Sequence, residues 1–532
     1  MGVVGVVLLI ACANIASLML ARAAARHKEI AVRQALGASR LRLVRQLLME
    51  CLLVSGAGAL LGALFSRWGT ALMIHSISTA RNSVFLDLSP DTRILGFTAL
   101  LAVLTGIVFG LLPALRSTRV SLTAVMKGGS ATEMGRFPRF RARRWTVSSQ
   151  VALSFVLLVA AGLLLRSFAK LATLDLGFDR SNVLLVSTDL KSAKVPPERQ
   201  LAAYEGMENR LRALPGIVSV GRSLLTPIQG GGWSQPISTD WSKELTDNET
   251  ETWFNAVSPG YLAALRMSLL AGRNFSGVDI TTSPKVAIVN QTLARRFFPG
   301  LNPLGRTFRI QGISGQPGPP IEVVGLIKDA KYESVDEDTH PTAFFPITQL
   351  PERAASKTFE LRTAIPPSAL VSSVQSAVAS VNKGAALEIY TLAEQVNDSL
   401  VQQRMLALLS GFFGGLALLL AMVGLYGTFN YLVSQRQTEF GIRMALGAGG
   451  SSILRLMLRD LLVALAAGLA AGGCISLAAT RVLQQMLFGL GPHDALTMIA
   501  AAGVLSAVAI FAGYFPARRA TKVDPMVALR WE

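Results

Sequence analysis

The chain has 532 residues, of which 51% are hydrophobic and only 16% charged, and its formal net charge is +18. Length alone would suggest about three or four soluble domains. Apolar runs of about 20 residues and a mean hydropathy of +0.45 exclude an ordinary soluble protein and predict a membrane protein instead.

Seven apolar runs are each long enough to cross a bilayer as a helix. They cover about Gly2–Leu20, Leu47–Trp68, Ile94–Leu115, Val147–Leu165, Leu406–Tyr431, Leu454–Ala479 and Leu496–Phe515. Met1 opens directly into the first run, with no basic n-region and no small-residue cleavage site. We therefore expect a spanning helix that enters from outside rather than a signal peptide.

A ten-residue stretch occurs twice, as EIAVRQALGA from Glu29 to Ala38 and as EFGIRMALGA from Glu439 to Ala448. In both copies an acid precedes an arginine by four residues and a glycine follows, which predicts a short helix with a Glu–Arg pair, ending at the glycine. The same offset pairs Arg45 with Arg455, Glu50 with Asp460, Gly58 with Gly468 and Gly62 with Gly472. Later, Leu111–Lys127 matches Tyr514–Arg530 through Pro113 with Pro516. This internal repeat predicts two copies of one membrane unit.

Lys and Arg residues are concentrated in alternate connections between the apolar runs, and cytoplasmic loops are enriched in them. The connections at 22–45, 116–144 and 436–459 and the segment 518–530 are basic, whereas 74–93 and 484–494 carry few basic residues. We expect the first set in the cytoplasm and the second set outside. Nucleic-acid binding explains the basic excess poorly, because the basic residues lie against helix ends without interleaved aromatic residues.

A polar insert, about Arg166 to Arg404, follows an inside-to-outside helix, so we expect an external domain with its own core, in two lobes. Its patterns predict a mixed α/β fold. NVLLVSTDL predicts a strand, PERQLAAYEGMENRLRAL a helix and GIVSVGRSLL a strand, which form a β-α-β unit. Further strands are predicted in KVAIVN, TFRI, IEVVGLIKDA and ALEIYTL, with helices in QTLARRFF and ALVSSVQSAVASV. The polar stretch Gly230–Thr252 predicts either a mobile loop or an irregular surface loop.

Catalytic and cofactor chemistry lack the residues they need. The chain has no G-x-x-x-x-G-K-S/T loop for nucleotide phosphates. Gly56, Gly58 and Gly62 lie inside an apolar run, where helix packing explains them better than dinucleotide binding. No run carries a charge near its centre, which disfavours an ion-coupled carrier. The four histidines are His27, His75, His340 and His493. They are scattered over separate segments, so the sequence predicts no metal cluster.

The doubled E-x-x-x-R-x-A-L-G-A motif is accompanied by SPGYLAALRMSLLAGRNFS (Ser258–Ser276), VAIVNQTLARRFFPGLNPLGRTFRI (Val286–Ile310), and IEVVGLIKDAKYES followed by PTAFFP. Together these stretches resemble the MacB/FtsX family of ABC transporter permeases, in the duplicated form with two FtsX-like permease units and a MacB-like periplasmic core domain. That form has a first helix and a first periplasmic domain without counterparts here, so we expect the first unit to be N-terminally truncated.

The resemblance implies an α-helical membrane protein with about seven transmembrane helices and an inserted mixed α/β periplasmic domain. It divides the chain into a first permease unit at 1–128, a basic linker at 129–145, a transmembrane helix at 146–167, a periplasmic core domain at 168–403 and a second permease unit at 404–532. The implied location is the bacterial inner membrane.

The family mechanism implies a permease subunit that couples ATP hydrolysis by a separate cytoplasmic ATPase dimer to movement of the periplasmic domain, for export of an unidentified substrate. ATP would bind to the ATPase, and no cofactor or metal to this chain. A periplasmic adaptor or an outer-membrane channel is a further implied partner. A regulator or sensor that activates a periplasmic partner without transport is the alternative.

The two copies of the ten-residue stretch are the predicted contact with the ATPase. A loop that only joins two helices needs no agreement between copies, whereas two equivalent grooves of a dimer require two equivalent helices. The predicted coupling residues are Glu29, Arg33, Leu36, Gly37, Glu439, Arg443, Leu446 and Gly447.

The distribution of basic residues predicts the membrane topology. In a background without the native cysteines Cys12, Cys51 and Cys474, single cysteines at Ser39 and Ser451 are expected to be shielded from an impermeant thiol reagent in intact cells. A cysteine at Ser276 is expected to react, because it lies in the predicted outer domain. Labelling at Ser39 in intact cells would contradict this topology.

Overall fold

The computed structural model describes residues 2–25, 33, 36, 39–77, 91–117, 136–190, 192–240, 250–311, 317–350, 356–447, 449–483, 487–489, 491 and 494–520. The helices are α1 (Gly2–Ala25), α2 (Arg40–Ile77), α3 (Thr92–Ser117), α4 (Arg136–Ala172), α5 (Pro197–Arg212), α6 (Tyr261–Leu265), α7 (Gln291–Phe297), α8 (Val371–Val381), α9 (Leu392–Ser399), α10 (Val401–Gln435), α11 (Gln437–Ala445), α12 (Gly450–Leu483) and α13 (Ala495–Ala520). The strands are β1 (Val183–Asp189), β2 (Ile217–Ser223), β3 (Trp233–Ser238), β4 (Glu251–Val257), β5 (Leu269–Gly272), β6 (Val286–Asn290), β7 (Thr307–Ile310), β8 (Ile321–Ile327), β9 (Thr342–Pro346), β10 (Ser356–Thr363) and β11 (Ala386–Thr391).

The chain divides into two compact units. One, here called the membrane unit, comprises Met1–Ser78, Val84–Lys170 and Gln403–Glu532. The other, here called the outer domain, comprises Thr79–Ser83 and Leu171–Gln402. Each is described by itself below.

All seven predicted apolar runs lie within helices of the membrane unit. Among the described residues, five helical segments are long and apolar enough to cross a bilayer, namely Leu41–Ile74, Trp145–Ala172, Val401–Ser434, Gly450–Ala479 and Ala495–Arg519. Helices α1 and α3 contain shorter apolar stretches, Gly2–Ile15 and Thr92–Val108. The α-helical membrane fold is therefore confirmed, with five of the seven predicted spans meeting this criterion.

Helix α4 lies at the centre of the core of the membrane unit. Its Phe155 and Leu163 pack in one cluster with Leu425 of α10, Leu461 of α12 and Leu505 of α13. The four helices bury these side chains because each has an apolar face toward the others.

Glycines on α12 bring its backbone close to α4. A Cβ on Gly468 would lie 2.7 Å from the carbonyl oxygen of Ser148, and one on Gly472 would lie 2.9 Å from that of Ala152. Spacing of small residues by four places them on one helix face, which is the usual way for membrane helices to pack closely. A larger side chain at either glycine would push the two helices apart.

The first lobe of the outer domain is a four-stranded layer in the order β11-β1-β10-β2, with antiparallel neighbours. Strands β1 and β2 both pair with β10 and therefore run parallel to each other with β10 between them. The predicted β-α-β unit is present as a split unit, because a strand from much later in the chain separates its two strands.

The second lobe closes on itself. Its strands follow the order β4-β3-β7-β8-β6-β9, and β9 pairs back onto β4 in parallel, so six strands form a ring. Strand β5 adds an edge to β8. Closure leaves few free strand edges in this lobe.

Each lobe has its own hydrophobic core. In the first, Tyr204 of α5 and Val374 of α8 pack against Phe359 of β10. In the second, Phe297 of α7 packs with Val289 of β6 and other side chains inside the ring. Two cores in one domain agree with the expected two lobes.

The prediction of a loop at Gly230–Thr252 is wrong for part of this stretch. Residues Trp233–Ser238 form β3, which pairs with β4 and β7. The ring of Trp233 packs edge-on against Phe254 at 5.1 Å between centroids. Strand β4 is the next strand along the chain and β7 is remote from β3, so pairing with these two strands, and not the polar local pattern of WSQPIS, defines the strand. Residues 241–249 of the stretch lie outside the described residues.

Glu360 on β10 is a fully buried carboxyl in the outer domain. The hydroxyl of Ser223 donates a hydrogen bond to its Oε1, while its Oε2 has no hydrogen-bond partner among the described residues. Burial away from water disfavours the charged form and raises the pKa of Glu360 to about 8.

This burial predicts a pH-dependent stability. Native Glu360 keeps its proton up to a pH of about 8, whereas a glutamate carboxyl in the unfolded chain loses its proton at a pH of about 4.3. Between these values the native state binds more protons, so the free energy of unfolding decreases as the pH rises through this window. The E360Q variant is expected to lose that decrease, as measured by thermal unfolding of residues 168–403 expressed without the helices.

A matched control is E388Q on β11, where the side chain is exposed. It is expected to keep the pH dependence of the wild type. An E360Q domain that unfolds with unchanged pH dependence would contradict the assignment.

Candidate functional site

The second copy of the repeated stretch forms the short helix α11 with the predicted ion pair. Arg443 Nη2 lies 2.8 Å from Glu439 Oε1, one turn apart, and both side chains are about half exposed. The helix ends at Ala445, Leu446 is its C-cap, and Gly447 follows with φ of +91°. A side chain at that φ would be strained, so the glycine sets where the helix stops.

A second arginine, just before α11, connects this helix to α12 within the membrane unit. Arg436 Nη1 donates to Asp460 Oδ2 on α12 at 3.3 Å, and its Nε lies 3.8 Å from Glu439 Oε2. Glu439 is thus shared by Arg436 and Arg443. Arg436 precedes the repeated stretch, so the motif did not mark it as a site residue, although Asp460 is the counterpart of Glu50 in the repeat.

The inner face of α11 is buried. Phe440 is 1% exposed and packs with Val433 of α10, Met457 of α12 and Ala517 of α13. The outer face carries Ile442, Arg443 and Leu446. The short helix is therefore fixed to three long helices on one side and open on the other.

The two leucines of the repeated stretch have matching environments. Leu446 is 83% exposed and Leu36 is 82% exposed. Arg33, the counterpart of Arg443, is also exposed, and its Nη1 donates to Gln46 Oε1 at 3.3 Å. Glu29 and Gly37 lie outside the described residues. The described arginine and leucine are therefore exposed in both copies.

A second set of polar contacts lies near the C-terminal end of α4. Arg166 pairs with Asp494 and also donates to the hydroxyl of Thr497 at 3.2 Å. The backbone amide of Phe488 donates to Ser167 Oγ at 2.9 Å, and Lys170 Nζ donates to the carbonyl of Gly489 at 2.6 Å. We call these contacts the outer clamp. Sequence reasoning missed it, because its partners are more than 300 residues apart.

One possible metal-ligand group occurs in the outer domain. Glu333, Glu337 and His340 bring three ligand atoms within 4.8 Å of one another. The sequence pattern did not predict this grouping. The carboxylate of Glu337, however, accepts hydrogen bonds from the backbone amides of Tyr332, Glu333 and Ser334. These hydrogen bonds hold the carboxylate against the turn that begins at Tyr332.

The helices and the inserted domain define a multi-helix membrane protein that carries an α/β domain between α4 and α10. The family profile of the MacB-like periplasmic core domain matches residues 151–388. The profile of the FtsX-like permease C-terminal domain matches residues 1–122 and 411–525. The chain belongs to the family of membrane permeases that combine these two kinds of domain.

Relatives include the macrolide export ATP-binding/permease protein MacB of Azoarcus sp. (strain BH72), 28% identical over 56% of this chain and 45% of the relative. The ABC transporter permease YknZ of Bacillus subtilis (strain 168) is 24% identical over 61% of this chain and 79% of the relative. The chain spans about half the length of the MacB relatives it matches. The crystal structure of the periplasmic region of MacB from Actinobacillus actinomycetemcomitans aligns with 41% of this chain and 91% of its own, at 14% identity and a TM-score of 0.28.

The outer clamp predicts a local effect of charge reversal. Arg166→Glu is expected to speed amide hydrogen exchange at Phe488 and Thr497 by up to ~5-fold, since exposed ion pairs contribute about 0.2–1 kcal/mol. The measurement is hydrogen exchange with mass spectrometry on the whole chain in lipid nanodiscs. Arg166→Lys keeps the charge and is the control. Equal exchange in the two variants would show that the ion pair does not hold this loop.

Proposed function

We propose that this chain is a permease subunit of an ABC transporter. It couples ATP hydrolysis by a separate cytoplasmic ATPase dimer to movement of its outer domain, and it exports a substrate whose identity is open. The proposed location is the bacterial inner membrane, with the outer domain in the periplasm.

The observation that carries this proposal is the matched exposure of Leu36 and Leu446 at the tips of the repeated stretch. A short helix that is anchored on one face and exposes a leucine beside a charged pair suits a hydrophobic groove with a polar rim. Because the sequence carries this stretch twice and the equivalent leucine is exposed in both copies, the chain suits a partner with two equivalent grooves, which a homodimeric ATPase offers.

The sequence is consistent with an energy source on another subunit. Its 532 residues contain no G-x-x-x-x-G-K-S/T loop, and no apolar run carries a central charge for ion coupling. The names of the MacB relatives include ATP binding and macrolide export. Export from the periplasmic side, with a periplasmic adaptor or an outer-membrane channel as a further partner, is the activity to test.

The long helices supply a route from the ATPase to the outer domain in this proposal. Helix α11 is packed on α10, α12 and α13 through Phe440. Helix α4, which leads in sequence to the outer domain, packs on the same three helices and joins the segment before α13 through the outer clamp. A displacement of α11 would therefore reach α4 through direct packing.

The test reverses the charge in both coupling elements. Arg33→Glu with Arg443→Glu is expected to leave the protein inserted and its outer domain folded, yet to abolish co-purification with the ATPase and stimulation of ATP hydrolysis. Removing the exposed leucines by Leu36→Ala with Leu446→Ala is expected to weaken binding at least about tenfold, because one buried leucine contributes about 1.5–3 kcal/mol.

The matched control is Arg45→Glu with Arg455→Glu, which makes the same charge change at equivalent exposed positions outside the repeated stretch. This variant is expected to bind the ATPase. Full ATPase binding and stimulation in the Arg33/Arg443 variant would reject the coupling assignment and favour a sensor without transport.

A further inference from the structure

The connection between β8 and β9 in the outer domain brings two carboxylates and an imidazole together. Residues 333–338 read ESVDED and carry four acids, in a chain whose formal net charge is +18. Glu333 and Glu337 each offer a carboxylate oxygen, and His340 offers a ring nitrogen, with all three atoms within 4.8 Å of one another. The three side chains are half-buried by residue, so they face one another rather than bulk water alone.

Backbone amides fix the carboxylate of Glu337. Its side chain is only 6% exposed. Its oxygens accept hydrogen bonds from the amides of Tyr332 at 2.5 Å, Glu333 at 3.0 Å and Ser334 at 3.2 Å. An ionised carboxylate has about four lone-pair sites, so the three amides leave it able to bind a further partner. Hydrogen bonds of this kind form the outer shell that orients a metal ligand.

His340 is fixed from a different part of the domain. Its ring lies against Trp253 of β4 with 5.4 Å between centroids, and its carbonyl accepts from Asn290 Nδ2 at 2.8 Å. The ring nitrogen Nε2 lies 4.0 Å from Glu337 Oε2. That separation is too long for a hydrogen bond. It is within what two bonds of about 2.0–2.2 Å to one shared ion can span.

The carboxylate of Glu333 has no protein partner in the part of the chain that the structure describes. Its backbone is fixed, because its amide donates to Glu337 and its carbonyl accepts from Gly230 N at 3.2 Å. Lys331 is the nearby cation, but its Nζ donates to the backbone carbonyl of Glu337 and not to either carboxylate. Two negative charges at this separation repel each other, and a cation between them would be attracted to both.

The shape of the turn alone does not account for this arrangement. The three amides that hold Glu337 explain why an acid is needed at that position. They do not explain why an unpaired carboxylate from Glu333 and a ring nitrogen from His340 converge on it. A shared ligand accounts for all three side chains at once.

We propose that Glu333, Glu337 and His340 bind a divalent transition-metal ion of the Zn²⁺ type. One imidazole and two carboxylates, with a fourth position left for water, suit Zn²⁺, whereas Ca²⁺ and Mg²⁺ take oxygen ligands. The ion would link the β8–β9 connection to β4 through the packing of His340 on Trp253. The inference does not depend on the proposed function. It differs from the sequence-based expectation, which rested on the scattered histidines, because carboxylates supply two of the three ligands.

Zn²⁺ binding to the full chain in lipid nanodiscs tests the proposal. The chain lacks its native cysteines, so that thiols do not contribute, and affinity is measured by competition with a chromophoric Zn²⁺ indicator. Glu333→Gln and His340→Ala are each expected to weaken binding at least about tenfold, since loss of even an outer-shell partner costs about 10–100-fold. Zn²⁺ is also expected to slow amide hydrogen exchange in residues 331–341 of the unsubstituted chain and not of either variant.

The matched control is Asp338→Asn, which removes the same charge from an exposed acid of the same run that is not among the three ligands. It is expected to bind Zn²⁺ as tightly as the unsubstituted chain. An equal loss in Asp338→Asn and Glu333→Gln would show only diffuse attraction of cations to the acidic run. Unchanged affinity in both Glu333→Gln and His340→Ala would overturn the site, as would Ca²⁺ binding that is as tight as Zn²⁺ binding and unaffected by His340→Ala.

Discussion

Close contact between the backbones of α4 and α12 is the interaction on which the membrane unit depends. Water is absent from the bilayer core, so apolar side chains gain little from association there, and packing and hydrogen bonds hold the helices together. Gly468 and Gly472 allow the approach, and the hydroxyl of Ser148 donates to the carbonyl of Ala464 at 3.0 Å across it. With α4 fixed in this way, its apolar side chains complete the four-helix core and Arg166 reaches Asp494.

Amide side chains join the first repeat to the second within the same unit. Asn14 of α1 and Gln150 of α4 both donate to the carbonyl of Leu420 on α10, at 2.7 and 3.1 Å. A Cβ on Gly424 would lie 2.1 Å from Asn14 Oδ1. The repeat offset that pairs Glu29 with Glu439 also pairs Asn14 with Gly424. Equivalent positions of the two repeats thus meet, as in a twofold interface, and glycine in one copy leaves room for the amide in the other.

The outer domain combines two cores with buried polar groups. The first core lies under α5 and α8, and the second lies inside the closed ring. Gly221 of β2 lets α6 lie directly on the strand, since a Cβ there would be 2.7 Å from the Cα of Tyr261. Glu360 is buried on the next strand, so its protonation affects the stability of the layer from within rather than at a surface.

The sequence determined the membrane helices, the repeat and much of the secondary structure, because hydropathy and strand patterns are local properties of the chain. It also located the Glu439–Arg443 pair and the stop at Gly447, which depend on spacing within one helix. Only the tertiary structure decided which strands are neighbours, since β10 enters between β1 and β2 from far along the chain. The tertiary structure also decided the contact of Arg166 with Asp494, the contact of Arg436 with Asp460 and the burial of Glu360. Each depends on separate segments of the chain, and no local pattern specifies which remote group an ionisable side chain meets.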